Sequence, residues 1–141
     1  MSPSVSGPNA GARSAVVPAP VSIAGKLELF SDLWSQKKIA DVNDYEVKLA
    51  KLHGEFIWHR HEETDELFLV ISGRLTLQLR DGDTPLDDVV LGPGELFVVP
   101  RGVEHCPKAD EETAIMLLEP AGVLNTGDAG GPLTRPAATL E

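Results

Sequence analysis

The clearest pattern in the chain is an alternation that begins at Tyr45. In "YEVKLAKL" the apolar Val47 and Leu49 alternate with the charged Glu46 and Lys48, the period of two expected of a strand with unlike faces. Similar short segments follow: "EFIWHRH", "ELFLVIS", "RLTLQLR", "VVL", "ELFVVP" and "AIMLLE". Between them stand turn signals at His53-Gly54, Ser72-Gly73, Asp81-Gly82-Asp83, Gly92-Pro93-Gly94 and Pro100-Arg101-Gly102. Short β-rich segments punctuated in this way predict an all-β sandwich or small barrel, with a tight hairpin at Asp81-Gly82. Depending on parity, Phe56, Phe68, Leu77 and Phe97 are candidates to line its interior. Upstream the period is helical. Ile23, Leu27, Phe30 and Trp34 recur every three or four residues behind Ser22, a residue type that caps helices, so a short amphipathic helix lying on the core is predicted.

The flanks read differently. Residues 1–20 are rich in Pro, Ser, Gly and Ala, bury little apolar surface and are predicted to be a disordered tail. Residues 122–141 return to Gly, Pro and Thr and are expected to form an extended arm or a second tail. The folded unit is therefore expected over 21–121, as a barrel with an N-terminal helical segment. A chain of 141 residues is long enough for one such core.

Charge narrows the partners. With 22 acidic and 12 Lys and Arg side chains the formal net charge is -10, a field that repels the phosphates of nucleic acid and anionic membrane surfaces. Neither is expected as a partner. No apolar run approaches the roughly 20 residues that cross a bilayer. The single cysteine, Cys106, excludes an intrachain disulfide framework, and no secretory leader is evident, so a cytoplasmic protein is expected.

The chemistry concentrates in "WHRHEETDE". Alternate residues of a strand share a face, roughly 6.5 to 7 Å apart, so His59 and His61 project together. Glu66 opens the next strand after the short acidic connection "EETD", which returns its carboxylate toward the two imidazoles. The Gly and Pro turns of "GELFVVPRGVEH" leave His105 at a strand entrance, where it can supply a third imidazole. Taken singly these are a pair of strand histidines, a solvated carboxylate and a loop histidine. Together they suit Fe, Mn, Ni, Cu or Zn.

These residues resemble the cupin superfamily. Its first motif, G-x5-H-x-H-x3,4-E-x6-G, reads here Gly54, His59, His61, Glu66, Gly73, with one residue fewer before the first histidine. Its second, G-x5-P-x-G-x2-H-x3-N, reads Gly94, Pro100, Gly102, His105, with Ala109 in place of the final Asn. The resemblance implies a double-stranded β-helix, or jelly-roll, barrel over about Tyr45 to Pro120. It makes His59, His61, Glu66 and His105 the ligands of one divalent transition metal ion, and it implies pairing as a homodimer, with Trp58 or the N-terminal segment as a candidate interface.

Four protein ligands leave open positions on an octahedral ion for a small-molecule substrate. The leading expectation is a metal-dependent enzyme on a small organic molecule, either an isomerase or lyase working through an enediolate, or a dioxygenase. The alternative is a non-catalytic module that binds a small ligand or a metal; a storage or scaffold barrel is a third reading, against which the complete ligand set weighs. Glu55 shares the parity of the two histidines and Arg101 lies in the loop before His105, yet a solvent-facing role fits both better. Cys106 is expected to face away from the ligands as a buried small residue, and His53 carries no role.

Overall fold

The computed structural model describes residues 16–140. Most of the tail expected over 1–20 lies outside that range, and residues 16–20 run exposed without regular structure. Among the described residues nine strands follow one short helix: α1 Ile23–Leu27, β1 Lys37–Val42, β2 Tyr45–Glu55, β3 Glu66–Ser72, β4 Leu75–Asp81, β5 Thr84–Pro85, β6 Val89–Leu91, β7 Leu96–Val99, β8 Glu104–Pro120 and β9 Ala138–Thr139. Among the described residues no helix is long and apolar enough to cross a membrane.

β8 organises the sheet. Its first residues pair with β4, its last with β3, and its other edge runs along β2. β7 closes against β3, β6 and β5 against β4, and β1 and β9 extend the β2 edge. One strand shared by both halves curls the sheet into a jelly-roll barrel. Strict alternation fills it: Leu75, Leu77 and Leu79 of β4 point inward while Thr76, Gln78 and Arg80 point out, and Phe68 and Val70 of β3 meet Ile115 and Leu117 of β8.

Several elements differ from the sequence expectation. β1 falls in "KKIADV", whose charges mask a strand, and it forms because β2 and β9 offer it two edges. Instead of turning at His53-Gly54, β2 continues to Glu55, with a register shift between Leu52 and Gly54 absorbing the irregularity. "EFIWHRH" is not a regular strand: Glu55 ends β2, the Phe56 N–H donates to the Pro107 carbonyl, and His59 makes an isolated bridge to His105 of β8. The helix stops at Leu27, so Phe30 and Trp34 lie beyond it, and none of its residues is buried. A helix this short cannot stand alone. Ser22 caps its start, and the ammonium of Lys51 reaches across to donate to the carbonyls of Leu27 and Phe30, each at 2.7 Å.

The turn joining β3 to β4 is built on Gly73, whose φ of +87° belongs to the left-handed region. A Cβ there would overlap the hydroxyl of the buried Thr113 and come within 2.8 Å of its Cα. Gly73→Ala is therefore expected to destabilise the protein by about 3 kcal/mol, from left-handed strain of about 1–2 kcal/mol together with overpacking. Urea denaturation reads this directly. A loss under about 1 kcal/mol would show that the turn yields without cost.

Candidate metal centre

The strand parity that fills the core also builds the site. Glu66 has the inward face of β3 that Phe68 and Val70 share, and His105 enters the interior at the second residue of β8. His59 reaches it from the irregular stretch 56–65 because it exchanges both backbone hydrogen bonds with His105, at 3.0 and 2.8 Å. His61 follows on the same side. All four side chains are buried, the most accessible being His61 at 7 %, and one donor atom from each lies within 4.8 Å of the others.

Hydrogen bonds at Nδ1 turn the Nε2 atoms of His59 and His105 toward the shared site. Nδ1 of His59 bonds the Ile57 carbonyl at 2.9 Å and Nδ1 of His105 bonds the Val103 carbonyl at 3.1 Å. A carbonyl can only accept, so these contacts put the proton on Nδ1 and leave Nε2 with its lone pair. Nε2 of His61 and of His105 lie 3.0 and 3.1 Å from the same Glu66 oxygen. His61 Nε2 is buried and off the alignment of a hydrogen bond. A buried nitrogen without a partner is costly, and two imidazoles crowding one carboxylate oxygen are what a shared cation would hold together. The residues thus fit a divalent transition metal ion, which these four side chains could hold.

The electrostatics agree. Burial, with the neighbouring His105 adding to it, lowers the pKa of His59 to about 4, so that it stays neutral and able to ligate at ordinary pH. Burial pushes Glu66 up, but the close approach of His105 and His61 to its carboxylate outweighs it and holds the group well below its usual range.

Inward from the donors lies a narrow cavity of about 30 Å³, walled by Phe56, Phe68, Leu52, Ile115, Leu117 and Trp34 and reached by His59 and Glu66. Trp34 stacks on Phe56 at 4.7 Å, and Phe56 meets the His59 ring edge-on at 5.5 Å. Away from His59 and Glu66 the polar wall is neutral, made by Gln36 and Asn125.

The residues given no role stay away from it. Glu55 is on the outside, accepting from Gln78 Nε2 at 3.0 Å, and Arg101 is an exposed turn residue whose N–H donates to Asp65. His53 is exposed; its carbonyl takes the Trp34 indole N–H. Cys106 faces away from the ligands and is buried, its thiol pKa pushed up to about 11 by burial and by Glu55. Trp58 packs within the molecule, under the Arg80 guanidinium at 4.2 Å from the ring centre.

Three groups near the site escaped the sequence. Lys48 and Glu119 are fully buried, 3.5 Å apart, and the β3–β8 register that pairs Leu67 with Leu118 carries Glu119 alongside Glu66. Lys48 belongs to the face of β2 that points inward with Ala50 and Leu52, the face that its alternation with Val47 and Leu49 marks as the charged one. The third is the segment after Pro120, where Asn125 lines the cavity.

Residues 45–119 match the cupin domain family, more than half of the chain. The chain is a cupin. The protein YdbB of Bacillus subtilis (strain 168) is 35% identical over 81 residues, covering 57% of this chain and 68% of its own. A cupin-2 domain containing protein from Shewanella frigidimarina NCIMB 400 superposes with a TM-score of 0.66 at 45% identity, over 71% of this chain and 93% of its own. Hydroquinone 1,2-dioxygenase from Sphingomonas sp. TTNP3, solved with 4-hydroxybenzoate bound, shares the fold at a TM-score of 0.63 and 15% identity, over 92% of this cupin and 85% of that chain. At that identity the likeness is one of fold alone.

Proposed function

We propose that this cupin is a metal-dependent enzyme acting on a small organic molecule, with His59, His61, Glu66 and His105 as the ligands of one divalent transition metal ion. The observation that carries this reading is the convergence of four buried donors at the end of an apolar cavity, with the Nδ1 contacts of His59 and His105 turning their Nε2 atoms toward the shared site. Such a metal supplies Lewis-acid polarisation of a substrate oxygen or, if redox-active, electron transfer.

The chain's own residues define the rest. The apolar wall excludes water, the Trp34–Phe56 stack stiffens the side next to His59, and Gln36 and Asn125 offer neutral polar contacts. The nearby Lys48 ammonium is occupied by Gln36 at 3.3 Å, Glu119 and Glu46, so it offers no free positive charge to a phosphate. A small, largely apolar and uncharged molecule with one metal-binding oxygen suits this interior.

The test uses protein loaded in turn with Fe(II), Mn, Ni, Cu or Zn and the same protein stripped by a chelator. Each is incubated with small phenols and enolisable ketones, with and without oxygen. Turnover that requires the metal is expected, and its dependence on oxygen separates a dioxygenase from an isomerase or lyase. Saturable binding of these probes with no product under any condition would replace the enzyme reading by a binding module.

A further inference from the structure

Two of the four donors, His59 and His61, lie in the irregular stretch 56–65, where no continuous ladder fixes the backbone. Its peptide groups are instead held one residue at a time. His59 is held by β8 through His105, and the His61 carbonyl accepts from the N–H of Gly102 at 2.8 Å. Arg60, between the two donors, is held by something else. Its N–H donates to Asp128 Oδ1 at 2.8 Å, and its carbonyl accepts from the Asp128 N–H at 3.0 Å.

Asp128 belongs to the segment that crosses the barrel mouth after Pro120. Gly127, at a φ of +54°, lies flat against the same peptide. A Cβ there would overlap the Arg60 carbonyl oxygen and stand 3.2 Å from Cδ2 of His59. The segment is itself anchored. Asn125 donates to the carbonyls of Trp34 and Leu133 and accepts from the Arg135 N–H, Thr126 bonds Thr134, and β9 pairs with β1.

We propose that Asp128 and Gly127 are positioning residues of the metal centre: this C-terminal strap, outside the residues that match the family, completes the clamp that sets the spacing of His59 and His61. The inference rests on the reading of those histidines as metal ligands. Groups behind metal ligands typically change affinity by about ten- to a hundredfold when removed. Asp128 acts at that remove, through the peptide between two ligands rather than through a ring nitrogen.

The experiment is a Co²⁺ titration of the full chain against a chelating indicator, with thermal unfolding of each protein recorded in chelator. Asp128→Ala removes the acceptor for the Arg60 N–H and is expected to weaken Co²⁺ binding by about tenfold or more. Asp128→Asn keeps an oxygen at Oδ1 while losing the charge, and is expected to restore affinity close to the parent's. Gly127→Ala, which pushes the strap off Arg60, should weaken binding as Asp128→Ala does. Parent affinity in both alanine variants, with only the metal-free unfolding temperature lowered, overturns the proposal and leaves the strap a purely structural element. A parent protein that binds no Co²⁺ overturns the metal-centre reading itself, and is seen before any variant is compared.

Discussion

Replacing His105 by alanine is expected to strip the protein of its metal and leave the barrel folded. The side chain is fully buried and donates to nothing outside the site except the Val103 carbonyl, while the backbone bonds that tie His59 to β8 do not involve the ring. Loss of the imidazole therefore removes a donor and leaves the β-ladder in place. Residues one step behind a ligand are already worth about ten- to a hundredfold in affinity, so losing a ligand outright should cost more than about a hundredfold. His59→Ala should behave alike, with a further weakening of the Phe56 edge contact. Elemental analysis of freshly purified parent and variants, together with circular dichroism, is the measurement. Near-stoichiometric metal in the parent and a trace in folded variants is the expected pattern; full occupancy in either variant would sink the ligand assignment.

How much of this centre could be read from the chain depended on whether its contacts were local. His59, His61 and Glu66 lie within one short stretch, where strand parity and the short "EETD" connection predict that they converge; the turns of "GELFVVPRGVEH" offer His105 as a third imidazole, and the family resemblance makes it the fourth ligand. The alternation of β3 and β4 was equally legible, since "ELFLVIS" and "RLTLQLR" carry one apolar face each. Residues whose environment is set from a distance were not. In "YEVKLAKL" the alternation sets Lys48 opposite Val47 and Leu49 and so predicts a solvated lysine, whereas Ala50 and Leu52 carry that face into the cavity and Lys48 is buried with them. β1 is a strand only through its partners. The strap has no periodicity at all: its order comes from single bonds to Trp34 and Arg60, 91 and 68 residues away in sequence.

Lys48 and Glu119 are expected to respond very differently to substitution, although they face each other. Burial, and then the charge of Glu66 beside it, raise the Glu119 carboxyl to about 9 against the opposing pull of Lys48. Two adjoining buried carboxyls do not both ionise readily, and Glu66 takes the charge. Of the two carboxyls Glu119 is the one expected to keep its proton at neutral pH, and Glu119→Gln replaces it with a neutral group of the same shape. The loss should stay under about 1 kcal/mol, as for a volume-conserving exchange. Lys48→Ala removes the cation 3.7 Å from Glu46 and 3.5 Å from Glu119 and leaves a void beside Ala50; truncating a long buried side chain to alanine costs about 2–5 kcal/mol. Metal-free protein separates the two in urea at neutral pH. The pH dependence supplies a second check. Because the folded-state pKa of Glu119 is raised above its ordinary 4.5, its contribution is fully present below that value and is lost as the pH rises toward 9. Parent stability should therefore fall between pH 6 and 9 more steeply than that of Glu119→Gln, which has no proton to surrender there. Parallel curves for the two proteins would mean that Glu119 is ionised in the folded state and that Lys48 pairs with it as a conventional buried salt bridge.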